Sequence, residues 1–140
     1  MTRQRSIARM TRLLAPRALA LLERVREACP DVPFTDPEDR SCDSDVRWGM
    51  DYAVDDTTGV GVDVEAHLSE ECDGSPAGVN VGLHIVAFGG QIIGQCTPHN
   101  YTDLCWVRRN DLAAVGARMA ELECVDVSGV QSMILEHLTP

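Results

Sequence analysis

Asp51, Asp63 and His84 are the side chains in this sequence best suited to acid/base chemistry, provided the fold brings them together. Two carboxyls held side by side repel as anions, which raises the pKa of one of them. An adjacent imidazole would complete a proton-transfer set. Asp63, Glu65 and His67 alternate along one segment, and carboxylate with imidazole suits a divalent metal. Cys96-Thr-Pro-His99 has the short spacing of two zinc ligands, with Cys105 nearby. A structural zinc takes four ligands, usually from two such pairs. No second pair exists, so Cys72 or His67 would have to complete the set. The simpler reading of Cys96 and Cys105 is two small apolar thiols in the core. No cofactor is therefore expected, with zinc as the exception to test.

These residues lie in a part of the chain with period-two patterning. Val46, Trp48, Met50, Tyr52 and Val54 alternate with Arg47, Gly49, Asp51 and Ala53. Val60, Val62, Val64, Ala66 and Leu68 alternate with Gly61, Asp63, Glu65 and His67. Such alternation predicts half-buried strands. Val79 to Ala87 makes a third strand. Gly89-Gly90 is a hairpin signal, and Ile92–Thr97 and Leu104–Val107 supply a fourth and fifth strand. Helical spacing frames this region. Leu14, Ala18, Leu21, Leu22 and Val25 form an apolar stripe with Pro16 in its first turn. Residues 1–13 read as a basic arm or as first helical turns. Residues 30–45 read as an acidic loop, without the register of a calcium-binding loop. Asn110 is placed to cap a helix carrying Leu112, Val115, Met119 and Leu122. Ser128 and Gln131 have capping-box spacing before Ile134 and Leu138. The expected fold is a single α+β domain over residues 1–140. It is a five-stranded antiparallel meander with one N-terminal and two C-terminal helices packed on one face.

The simplest hairpin registers set Val54 opposite Val60, Leu68 opposite Val79, Phe88 opposite Gln91 and Cys96 opposite Cys105. One row across the helix-free face then reads Asp51, Asp63, His84, Gln95, Trp106. Arg47, Glu65, His67, Asn80, Val86, Phe88, Ile93 and Arg108 surround it. A slip of one residue in any hairpin would turn that strand's contribution over. Apolar side chains beside charged ones on an open face suggest a binding surface. The candidate partner-binding residues are Asp51, Asp63, Glu65, His84, Phe88 and Trp106.

Charge narrows the choice of partner. The 140-residue chain has a formal net charge of −10, contains no lysine, and has 12 positive side chains, all arginine. Seven of those arginines and only one acid fall in residues 1–26, leaving the rest strongly negative. An acidic body repels nucleic acid and anionic membranes and suits a basic protein. The arginine arm has almost no aromatic residues for base stacking. No run approaches the ~18 apolar residues of a membrane span, and no export signal is evident, so a cytoplasmic location with reduced thiols is expected. Gly59-Val-Gly61 lacks the helix and lysine of a phosphate loop. No deaminase, protease or kinase signature is present.

Small size, acidity and a decorated open sheet are similar in character, though in no sequence motif, to stoichiometric protein inhibitors. These are the toxin immunity proteins and the phage-encoded inhibitors of nucleic-acid-targeting defences. The resemblance implies a non-catalytic module that presents carboxylates to a basic, nucleic-acid-handling partner. One alternative is a small enzyme using Asp51, Asp63 and His84. Another is a zinc-stabilised accessory subunit held by Cys96, His99 and Cys105. Self-association through the open sheet face is a further expectation.

Overall fold

A computed structural model describes residues 3–42, 45–68, 78–96, 107–108 and 111–139. Helix α1 spans Arg3–Ala28. Strands β1 (Glu38–Asp39), β2 (Asp45–Ala53), β3 (Gly59–Leu68), β4 (Gly78–Ala87), β5 (Ile92–Cys96) and β6 (Val107–Arg108) follow. Helix α2 (Leu112–Ala120), a 3-10 turn (Glu121–Cys124) and helix α3 (Val127–Leu138) close the chain. The class is α+β, as the patterning predicts. The strands pair antiparallel in the order β1-β2-β3-β4-β5.

Helix α1 extends further towards the N-terminus than its proline suggests. Pro16 is interior to the helix, not in its first turn. It removes one intrahelical hydrogen bond, at a cost of roughly 3 kcal/mol. Met10 extends the stripe upstream and is fully buried, as are Leu14, Ala18, Leu22 and Val25. Full burial of each large apolar side chain is worth about 1.5–3 kcal/mol, which outweighs the break. The stripe packs on β2 and β3. It meets one continuous core with Val46 and Met50 of β2, Val62 and Val64 of β3, and Leu83 and Ile85 of β4. Val115 and Met119 of α2 and Val130 and Ile134 of α3 complete that core.

Several local expectations change. Asp111, not Asn110, caps α2, its Oδ1 accepting from the Ala114 N–H at 3.1 Å. Asp126, not Ser128, caps α3. In each case a carboxylate close by, one residue after Asn110 and two before Ser128, takes the cap because it accepts the free N–H groups and complements the helix dipole. Gln131 then serves elsewhere, donating to the Ala28 carbonyl at 2.6 Å and tying α3 to the end of α1.

The sheet edges also differ in detail. Residues 38–39, inside the expected acidic loop, pair with β2 and supply one edge. On the other edge, the described residues of β5 cover β4 from Leu83 to Val86. Gly78 and Val79 are left for β6, which pairs with β4 and not with β5. Unpaired backbone polar groups are costly, so both stretches of the β4 edge find partners. The expected Leu104–Val107 strand is thus described only from Val107, and Cys105 and Trp106 lie outside the described residues.

Candidate functional site

Across the face away from the helices, the strands set side chains in ranks. Asp45, His67 and Asn80 form one. Arg47 and Glu65 form the next, followed by Gly49, Asp63, His84 and Gln95. Asp51, Gly61, Val86 and Ile92 come after, then Ala53 and Gly59. The expected contacts of Asp63 with His84 and of His84 with Gln95 hold. The expected pairing of Val54 with Val60 does not. Tyr52 faces Val60, so Asp51 lies opposite Gly61, and Gly49 lies opposite Asp63. The cause is the turn. The Val54 N–H donates to the Thr58 carbonyl at 2.8 Å, and Asp55 Oδ1 accepts from the Thr57 and Thr58 N–H groups. That turn is centred on Asp56 instead of Thr57, which shifts the ladder by two residues and preserves the face of every side chain.

Asp51 and Asp63 are nevertheless linked, through Arg40. The short pairing of β1 with β2 carries Arg40 over the sheet, its backbone N–H donating to the Arg47 carbonyl at 2.8 Å. Arg40 Nη1 and Nη2 reach the two oxygens of Asp51 at 3.1 and 2.6 Å, a forked pair. Nη1 also lies 3.2 Å from Asp63 Oδ1, and Nε lies 2.9 Å from Glu38. Two bare positions make this possible. A Cβ on Gly49 would lie 2.0 Å from Asp63 Oδ1 and 2.9 Å from Arg40 Nη1, and a Cβ on Gly61 would lie 2.8 Å from Asp51 Oδ1.

Arg47 organises the other half. Its Nη2 lies 2.7 Å from Asp45 and 3.1 Å from Glu65, and Nη1 lies 3.8 Å from Asp63. Glu65 Oε1 meets His84 Nδ1 at 2.9 Å, and Asp45 Oδ1 meets His67 Nδ1. Five carboxylates therefore share two guanidiniums, and Asp45, Asp63, Glu65 and His84 are buried. Sequence reasoning missed Arg40. The available signal was a lone arginine among acids in residues 36–45.

The consequence is a closed ionic lattice. Asp63 stands beside His84, but the imidazole bonds to Glu65, and both Asp63 oxygens face guanidiniums. Among the described residues, no group of three or more His, Cys, Asp or Glu side chains is arranged to hold a metal ion. His99, Cys105 and Cys72 lie outside the described residues, and Cys96 ends β5. The Cys29 thiol is buried and that of Cys124 exposed, and the exposed Cys42 thiol donates to Asp45 Oδ2 at 4.0 Å. Burial pushes the Cys29 thiol up. No described helix is long and apolar enough to cross a membrane.

Burial pushes the Asp63 carboxyl up; Arg47 and Arg40 pull it back, and Asp51 and Glu65 add to the rise. Asp55 goes the other way, held down by the Thr57 and Thr58 N–H groups. Their contributions to stability therefore have opposite signs. A carboxyl raised on folding contributes stability that is present below its unfolded pKa and lost as pH rises through the folded value. A lowered one contributes stability present above its unfolded pKa and lost as pH falls. Carboxyl NMR titration is expected to find Asp63 titrating at higher pH than Asp55. Asp63→Asn should flatten the fall in stability just above the ordinary carboxylate range. The reverse titration order would refute this assignment.

The apolar part of the face lies at one end of the sheet. A bulge between Ile85 and Val86 sets Ile92, not Ile93, beside Val86, and Ile93 packs against the core. Phe88 lies over bare Gly59, where a Cβ would come within 2.5 Å of its ring. Val54, Phe88 and Ile92 are 53%, 36% and 48% exposed, three of the five large exposed apolar side chains among the described residues. The registers bring all three to the same end, next to exposed Asp55 and Asp56. Val54 and Ile92 were not singled out from the sequence.

No family model matches the chain, and no curated protein or solved structure matches it.

Proposed function

We propose that this chain is a non-catalytic binding module that docks a basic, nucleic-acid-handling protein partner, as an acidic stoichiometric inhibitor would. The observation that carries this reading is the exposed pair Phe88 and Ile92 on the open face, at the end of the sheet where Val54, Asp55 and Asp56 of the neighbouring turn are also exposed. Exposed apolar groups beside like charges supply both an anchor and a steering field. Asp63 and Glu65 are held by the internal arginines, so the field comes from the outer acids. These are the exposed Asp55 and Asp56. Glu65 and His84 hold the platform that displays the anchors. Trp106, the other expected anchor, lies outside the described residues.

The test captures partners from the native host and measures binding rates for the captured protein. Phe88→Ala and Ile92→Ala should each weaken binding about 30-fold, roughly 2 kcal/mol, mainly through faster dissociation. Asp55→Asn with Asp56→Asn should slow association, and the loss should shrink as salt rises. Folded anchor variants that bind like the parent would overturn the reading. Concentration-dependent self-association lost in the same variants would instead assign this end to a second copy of the chain.

One observation favours a small enzyme: Asp63 is a buried carboxyl with a raised pKa, beside the His84–Glu65 pair. Turnover that needs no partner and disappears in Asp63→Asn would establish that alternative.

A further inference from the structure

The opposite side of the molecule holds a feature that the sheet face does not use. A cavity of about 300 Å³ lies between the middle of α1 and the 3-10 turn that follows α2. That is the small end of the range for ligand sites. Pro16, Ala20, Leu21 and Leu122 give it apolar walls, and Arg17 and Arg24 line it two helical turns apart. The two arginines differ. Arg24 donates to the carbonyls of Glu123 and Val125 at 3.1 and 3.4 Å, which fixes the 3-10 turn against α1. Arg17 Nε is buried and has no acceptor. Leaving a buried donor of a charged group unsatisfied is costly, so this side chain is poised for an acceptor from outside.

We propose that this cavity binds a small amphipathic monocarboxylate, its carboxylate on Arg17 and its aliphatic body along Pro16, Ala20 and Leu122. A single negative charge fits because one guanidinium is uncommitted, while Glu123 at the wall opposes a doubly charged anion. The apolar walls require a body that inorganic anions lack. The ligand offsets the desolvation of Arg17 by a charge-assisted hydrogen bond.

The test is an amide chemical-shift titration of the full chain with octanoate, run beside 1-octanol and inorganic phosphate. Octanoate should saturate a single site, with shifts centred on residues 16–24 and 122–123. Octanol and phosphate should each bind at least tenfold more weakly. Arg17→Gln should weaken octanoate at least tenfold while leaving the fold intact, since Arg17 Nε has no internal acceptor to lose. Ala20→Leu, at an exposed helical position, should fill the cavity and abolish binding. Non-saturable shifts, equal affinity for octanol, or an unchanged affinity in folded Arg17→Gln would each overturn the proposal.

Discussion

Arg47→Gln is expected to lose about 3 kcal/mol of unfolding free energy at pH 7, measured by urea denaturation. Removing one partner of a buried ionic group typically costs about 3–5 kcal/mol, because the remaining charges stay buried without compensation. Here three remain: Asp45, Asp63 and Glu65, all buried within reach of Arg47. The low end of the range applies because the Arg47 side chain keeps 33% of its exposure and water can partly replace it. Glutamine can donate hydrogen bonds but brings no charge. Arg47→Lys should recover part of the loss: the charge returns, but not the fork that serves two carboxylates at once.

The deficit should also depend on pH in a defined direction. Arg47 is the stronger of the two charges that pull the Asp63 carboxyl back down. Without it, that carboxyl rises further above its unfolded value. A carboxyl raised on folding destabilises the native state increasingly as pH climbs through the folded pKa. The gap between variant and parent should therefore be widest near neutrality and narrow as pH falls and Asp63 protonates. A gap that widens on acidification would show that Arg47 acts through packing and not through charge.

The lattice that Arg47 holds together was legible in the sequence only in part, and the reason differs by residue. Val46 to Val54 and Val60 to Leu68 alternate because one side of each strand faces helices and the other does not. That pattern fixes the face of Asp51, Asp63 and Glu65 whatever the turn does. The turn then decides which of them are opposite one another. Asp55 gathers the Thr57 and Thr58 N–H groups, recentres the turn on Asp56 and moves the β2–β3 ladder by two residues. At the Gly89-Gly90 turn, where both glycines have positive φ, the Ala87 N–H donates to the Gln91 carbonyl and Val86 faces Ile92; the bulge between Ile85 and Val86 then restores the expected contact of His84 with Gln95. Ile92 and Ile93 are adjacent and equally apolar, so nothing local distinguishes the one displaced by the bulge. Arg40 was invisible for another reason. Glu38 and Asp39 carry no apolar pattern, and their pairing rests on backbone groups and on the neighbours that Arg40 finds across the sheet.

Gly49→Ala should expose how closely that lattice is built. A Cβ at position 49 would sit 2.0 Å from Asp63 Oδ1 and 2.9 Å from Arg40 Nη1, distances that atoms do not tolerate. The Asp63 carboxylate must turn away, and it cannot do so without leaving Arg40 at one oxygen or Arg47 at the other. Asp63 is 7% exposed, so water does not replace the lost partner. The expected cost is about 3 kcal/mol, that of breaking a buried ionic pair. The small gain from replacing a strand glycine, roughly 0.5–1 kcal/mol, is not enough to offset it. The effect should vanish when the obstacle is removed. In Asp63→Ala the side chain that meets the new methyl is gone, and adding Gly49→Ala to it should be nearly neutral. The double-mutant cycle should therefore show a coupling of about 2 kcal/mol or more between two residues that face each other across β2 and β3. Simple additivity, with Gly49→Ala costing the same in both backgrounds, would mean that Asp63 has room to move and that the lattice is looser than its distances indicate.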